Sequence, residues 1–347
     1  MTVLAHPTEL DVAVVRRPAR ARLMWLVIAF GVLLIVMVAS VAIGSRAVGW
    51  SDIWSALGGA EETLGEAAVT KRIPRTLLAV LVGAALALAG AVMQGVTRNP
   101  LADPGILGVN MGASLAVVIG IAWFQLTSPT SFIWVAIGGS AAAAVFVYAI
   151  GSLGRGGATP LKLALAGAAT AATFASLVSA LVLGRNDIAG GVTSWQIGGV
   201  GGATWDKLGF MLPFLVVGFV ICVLSARGLN SLALGDELAA GLGQNVALTR
   251  VVAALGAVIL CGASTAIAGP IAFVGLVVPH ACRMIFGADY RWVLPMSAVI
   301  GAALLTAGDV VGRIIARPQE IDVGIITALI GAPVFVYIVR RQKVREL

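Results

Sequence analysis

Charge is scarce in this sequence. Asp, Glu, Lys and Arg make up 11% of its 347 residues, against about 25% in a soluble domain. Histidine is rarer still, with His6 near the N-terminus and His280 after Pro279. Inside the apolar runs ionisable groups are almost missing, Asp309 and Arg313 being the main exception. A metal site or an acid–base pair cannot be assembled from so small an inventory. Nor does a relay of intramembrane carboxylates exist, which an ion-driven carrier usually needs. GxxxxGK[ST], HExxH, CxxC and GxSxG are all absent, so the chain carries no phosphate cradle and no recognisable catalytic centre. We expect no metal, no cofactor and no enzymatic activity of its own.

Three cysteines, Cys222, Cys261 and Cys282, fall inside or beside apolar runs and read as small buried residues, not as a disulfide framework. The net charge of +7 does not point to nucleic acid, because the basic residues lie between hydrophobic runs and form no patch with interleaved aromatics.

What is present is apolar. With 59% hydrophobic residues, mean hydropathy +1.01 and 43 glycines, the chain reads as an all-α integral membrane protein. Ten candidate spans lie at about 23–44, 76–96, 106–124, 132–153, 161–184, 208–226, 246–268, 271–286, 293–315 and 322–339. Residues 1–22 and 342–347 are then short tails around a ten-helix domain, 23–341. No cleavable signal peptide is read, since the first run follows Arg16, Arg17, Arg20 and Arg22 and is long enough to span. An even count places both termini on one side. If that side is cytoplasmic, inside segments hold 15 of the 23 basic residues and outside segments 8, as the positive-inside bias requires. Lys71, Arg72 and Arg75, in VTKRIPRTLLAV, then stand outside at the entry of the second span, against that bias.

Small residues crowd the spans, as in GAALALAG (83–90), GGSAAAA (138–144) and LALAGAATAATFAS (163–176). They let helix backbones approach closely where lipid supplies no hydrophobic drive. Thr170, Thr173, Ser176 and Ser179 recur every three residues on the fifth span. Their hydroxyls either bond back to their own helix or tie neighbouring helices, or else they form the mildly polar wall of a passage.

Three loops are richer than connectors need to be. TRNPLADPGILGVNMGAS, 97–114, is inside and dense in turn formers. ALGDELAAGLGQNV, 233–246, is also inside and reads as a short helix with Leu234, Leu238 and Leu242 in one stripe. Asp236 and Glu237 stand at its start and Gly241 and Gly243 close it. Lipid-surface helices carry Lys and Arg on the polar face, whereas this one carries acids, which favours a protein partner. GVTSWQIGGVGGATWDK, 191–207, is outside and reads either as an irregular external cap or simply as tryptophans anchoring at the interface.

The sequence as a whole resembles the FecCD-type permease subunits of bacterial ABC importers for iron complexes and cobalamin, from about residue 25 to 341. The resemblance rests on RIPRTLLAVLVGAALALAGAVMQGVTRNPLADPGILGVNMGAS, ALGDELAAGLGQNV, GPIAFVGLVVPHACRMIFG and GDVVGRIIARPQEIDVGIITALIGAPVFVYIVRR. It implies ten helices per subunit and a second permease subunit, identical or a paralogue. It also implies a cytoplasmic ABC ATPase dimer that hydrolyses ATP, and an extracytoplasmic substrate-binding protein. On this resemblance Gly235, Asp236, Glu237, Leu238, Ala239, Ala240, Gly241, Leu242 and Gly243 form the element that couples to the ATPase. Arg72, Arg75 and Arg313 face carboxylates of the binding protein, which explains basic residues on the outside. Rim charges of that kind steer encounter and fix register. RNPLADPGILGVN and GDVVGRIIARPQE look most like the ferric-siderophore branch; haem and cobalamin permeases share nearly the same scaffold. The sequence departs from the family at Gly199, where Ser is common, and at Ala281-Cys282, where Ile-Ala is more common. An Asp309–Arg313 i,i+4 pair is expected, orienting Arg313.

Overall fold

The computed structural model describes residues 19–343 except 101, 106–107 and 154–159. The two expected tails, 1–22 and 342–347, fall mostly outside the described residues. Among the described residues every regular element is a helix: α1 (Ala19–Ala42), α2 (Trp50–Leu57), α3 (Leu64–Thr97), α4 (Val109–Phe124), α5 (Pro129–Ser152), α6 (Pro160–Leu183) and α7 (Asn186–Ile197). There follow α8 (Trp205–Leu224), α9 (Ala226–Leu232), α10 (Asp236–Gly241), α11 (Val246–Ala268), α12 (Val274–Phe286), α13 (Tyr290–Ile315) and α14 (Val323–Lys343). Seven of these, α1, α3, α5, α6, α8, α11 and α13, contain stretches long and apolar enough to cross a membrane. α4, α12 and the apolar part of α14 are shorter. Each of the ten apolar runs read from the sequence falls on one of these helices.

α3 is the central post, packed against α13, α11 and α12. Its start is set locally by a capping box. Thr63 Oγ1 accepts from the Glu66 N–H at 3.1 Å, and Glu66 Oε2 accepts from the Thr63 and Glu62 N–H groups at 2.9 and 2.8 Å. The helix therefore begins at Leu64, earlier than the apolar run at 76 suggests. Lys71, Arg72 and Arg75 are carried inside it, and Pro74 removes one donor without ending it. Its 34 residues reach about 51 Å at roughly 1.5 Å per residue. A hydrocarbon layer of about 30 Å cannot cover that length unless the helix tilts or protrudes.

The small residues do what lipid packing asks of them. Gly83 meets the Gly301 main chain, Gly90 meets Gly275, and Gly112 meets Gly139. A Cβ at any of these would overlap the neighbouring backbone. Gln94 then ties α3 to the start of α12 by donating to the Gly275 and Leu276 carbonyls at 3.4 and 3.2 Å, while Arg283 donates to its Oε1. The three cysteines are free and buried.

Three short helices, α2, α7 and α9, are not expected from the sequence, being too short or too polar for their periodicity to stand out. α7 takes up the first part of the loop read as an irregular cap. There the Trp195 Nε1 donates to the Ala266 carbonyl at 3.3 Å. Trp205 is exposed.

Candidate functional site

At one end of the bundle three arginines converge where α1 ends, α3 begins and α13 ends. Arg72 is buried. Its Nη1 donates to the Val41 and Ala42 carbonyls at 3.1 Å each, and its Nη2 to the Arg46 carbonyl at 2.7 Å. The first two are carbonyls that the last turn of α1 leaves without helical partners, and the third belongs to the chain just beyond it. Gly44 lies flat against the guanidinium, where any Cβ would overlap it. Arg313 is also enclosed, at 1% exposure. It donates to Ser40 O and Oγ at 2.9 and 2.6 Å and pairs with Asp309 at 3.1 Å, the expected i,i+4 pair. Arg75 differs. Its Nε and Nη2 hold Asp309, the latter at 2.8 Å, while its Nη1 reaches Glu320 at 2.5 Å. Asp309 is thus shared by Arg75 and Arg313, and the Arg75 side chain remains 12% exposed.

Glu320 belongs to the turn between α13 and α14 and is 34% exposed at its side chain. It also accepts from the Ser45 hydroxyl at 2.9 Å. Burial alone would raise its pKa. The Arg75 guanidinium, by hydrogen bond and charge, and the Ser45 hydroxyl outweigh burial and hold the carboxyl below its ordinary value. Asp322 moves the other way. Burial raises it, and the Asp309 and Glu320 charges add to that against the opposing pull of Arg75. At Gly199, where the sequence departs from the family's common Ser, a Cβ would overlap the Asp322 carboxylate. The turn is pinned by the Ile321 N–H to the Gly312 carbonyl at 3.1 Å. The start of α14 is pinned by the Gly324 N–H to the Gly198 carbonyl at 2.9 Å.

At the opposite end, Gly235 (φ +107) turns the chain from α9 into the six-residue α10. Leu238 and Leu242 are 63% and 64% exposed, and Leu234 is exposed beside them. Glu237, Ala240, Gly241 and Gly243 are also exposed, whereas Ala239 is buried against the bundle. Asp236 fastens this element. It lies 3.3 Å from Arg98, the left-handed cap of α3, and 2.9 Å from Arg250 on α11.

On α6 the four hydroxyls do not share a face. A spacing of three falls about 60° short of a full turn at each step, so Thr170 is buried while Thr173, Ser176 and Ser179 are exposed. Thr170, Thr173 and Ser176 each donate to the carbonyl four residues back, at 2.7, 2.9 and 2.9 Å. Their polarity is largely spent within the helix. Glu320, Ser45, Asp322, Arg98 and Arg250 were not singled out from the sequence as site residues. Their partners are 14 to 275 residues away, and only the ARPQE motif hinted at one of them. Among the described residues no cluster of His, Cys, Asp and Glu is suited to a metal ion.

The structure is thus a helical bundle with helices long and apolar enough to cross a membrane, a basic network at one end and an exposed leucine-bearing helix at the other. Residues 32–341 match the FecCD transport family, and the chain belongs to it. It is similar to the siderophore transport system permease protein YfiZ of Bacillus subtilis (strain 168), at 46% identity over 89% of this chain and 93% of that protein. It is similar also to the ferric enterobactin transport system permease protein FepD of Escherichia coli (strain K12), at 42% identity over 90% and 94%. Among solved structures, an inward-facing metal-chelate type ABC transporter matches with TM-score 0.77 and 30% identity, covering 92% of this chain and 99% of that one. The chain is therefore a permease of the metal-chelate type of ABC importer, in the siderophore and iron-complex family.

Proposed function

We propose that this chain moves a ferric siderophore across the bacterial plasma membrane, taking it from an extracytoplasmic binding protein and drawing its energy from ATP hydrolysed by a separate cytoplasmic ATPase dimer. All ten apolar helices then span, both termini are cytoplasmic, and the arginine end faces outward. The observation that carries the reading is the division of the surface. One end offers a guanidinium at a rim, and the other offers leucines on a helix held in place by Asp236. The acids around α10 and its exposed Leu238 and Leu242 suit a groove on a protein better than a lipid surface.

In this reading Arg72, Arg75 and Arg313 make up the docking corner with different duties. Arg75 meets the partner's carboxylates, and Arg72 and Arg313 hold α1 and α13 so that it can. A second permease subunit covers the exposed apolar residues of α14, among them Ile325, Leu329 and Tyr337. Thr173, Ser176 and Ser179 offer a weakly polar wall along which a bulky solute slides without being held.

The test is uptake by vesicles carrying the assembled transporter, with radiolabelled ferric siderophore, haem and cobalamin offered separately. Accumulation of ferric siderophore alone supports the reading. Accumulation of haem or cobalamin in its place would move the chain to another branch of the same family.

A further inference from the structure

Of the three arginines at the rim, only one has an edge that a partner can reach, and that edge is occupied. Arg72 spends its guanidinium on three backbone carbonyls, and Arg313 is enclosed by Ser40 and Asp309. Arg75 commits Nε and Nη2 to Asp309, which is 1% exposed and out of reach of any partner. Its remaining edge, Nη1, is held by Glu320, the one exposed carboxylate in the network. A guanidinium stays charged at all relevant pH and prefers carboxylates in fixed geometry, so an incoming carboxylate must take the place Glu320 holds.

We infer that Glu320 is an internal stand-in for the binding protein's carboxylate, and that docking exchanges one for the other on Arg75. This rests on the docking reading above. The exchange has a mechanical consequence because of where Glu320 sits. The next residue, Ile321, is tied to Gly312 on α13, and Gly324, at the start of α14, is tied to Gly198 on the loop after α7. Glu320 is one of two side-chain anchors of that turn, through Arg75 on α3 and Ser45 after α1; the other is Arg317, whose Nη2 donates to the Gly44 carbonyl at 2.5 Å. Releasing it loosens the turn that leads into α14, leaving it on the Arg317 contact and the two backbone bonds. The partner's arrival is thereby reported to α14 and to the 198–204 loop. While no partner is present, the same contact keeps the turn closed and slows unproductive opening.

The test measures the Kd of the binding protein for the full transporter in lipid nanodiscs, using Glu320→Gln, Ser45→Ala, Arg75→Gln and the Arg75→Gln/Glu320→Gln pair. Removing the competing charge should tighten docking about tenfold in Glu320→Gln, the scale of one good charge contact at an interface rim. Ser45→Ala, which only loosens the stand-in, should shift Kd less in the same direction. The gain from Glu320→Gln should not survive in the Arg75→Gln/Glu320→Gln pair. Unchanged or weaker docking in Glu320→Gln, with docking still weakened in Arg75→Gln, would overturn the exchange and leave the docking reading standing. No change in Arg75→Gln would overturn the docking reading and the exchange with it. A nitroxide on Gln319→Cys supplies an independent readout. Its mobility should rise when the binding protein is added and should already be high in Glu320→Gln. Mobility unmoved by docking would also overturn the exchange.

Discussion

Arg75 on α3 reaches across to Asp309 on α13 at 2.8 Å, and Asp309 answers Arg313 on its own helix at 3.1 Å with the same carboxylate. One buried acid thus serves two cations on two helices, and it is the pin of the arginine end. Burial makes this arrangement stable only while it is complete. Taking one partner from a buried pair costs about 3–5 kcal/mol, because the charge left behind has lost its hydration as well. Asp309→Ala should therefore lower the thermal unfolding midpoint in detergent by roughly 4–7 °C, at about 1.4 °C per kcal/mol for a chain of 347 residues. Glu320→Ala, at an exposed position, should leave it nearly unchanged. Equal effects in the two variants would contradict the assignment of Asp309 as the pin.

Close helix crossing is testable at single glycines. Gly90 abuts the Gly275 backbone, whereas Gly138 has nothing within 4 Å of where a Cβ would stand. Gly90→Ala should destabilise by about 1–3 kcal/mol or more, since main chain cannot move aside as a side chain can. Gly138→Ala should be neutral or gain up to about 1 kcal/mol from helix propensity. Thermal unfolding of the two variants side by side decides the point.

The exposed stripe on α10 should matter to function and not to folding. Leu238→Asp, at 63% exposure, is expected to leave the unfolding midpoint in place. ATP-driven uptake should fall about tenfold or more, the scale of an anchor lost from an interface. Ala239→Leu, at a fully buried position, should instead lower stability by overpacking. Co-purification of the ATPase with each variant separates the two effects.

Acid should loosen the turn before α14. Glu320 has a folded pKa held below its ordinary 4.5 by Arg75 and Ser45 against the upward push of burial. Its contact therefore stabilises fully above 4.5 and is lost as pH falls below that value through the lowered folded one. Asp322 has the opposite sign. Burial raises it above 3.8, so its protonation on acidification removes repulsion and does not open the turn. A spin label at Gln319→Cys should gain mobility only below 4.5, and Glu320→Gln should be mobile throughout. A transition well above 4.5 would assign the loosening to another group.

Much of this was legible from residue types. The apolar runs mark the helices, because a chain with 11% charge has few other ways to satisfy its backbone in lipid. The leucines at 234, 238 and 242 mark the exposed stripe, and the spacing of Asp309 and Arg313 marks their pair. The hidden part has a physical reason. Arg72 and Arg313 are held by the backbone carbonyls of residues 40, 41, 42 and 46, and a carbonyl has no signature in sequence. Arg75 and Glu320 meet across 245 positions. The early start of α3 depended on seeing Thr63 and Glu66 as a cap, with Pro74 tolerated beyond it. Of the two readings open for the α6 hydroxyls, the bonds of Thr170, Thr173 and Ser176 to the carbonyls four residues back fit back-bonding within the helix.

The most direct measurement is iron accumulation by proteoliposomes containing this permease, its ATPase and its binding protein, with labelled ferric siderophore outside and ATP supplied to the ATPase side. The account predicts accumulation that requires ATP, requires the binding protein and is indifferent to a protonophore. Uptake that proceeds without ATP and collapses with the protonophore would contradict it and make the chain an ion-coupled carrier.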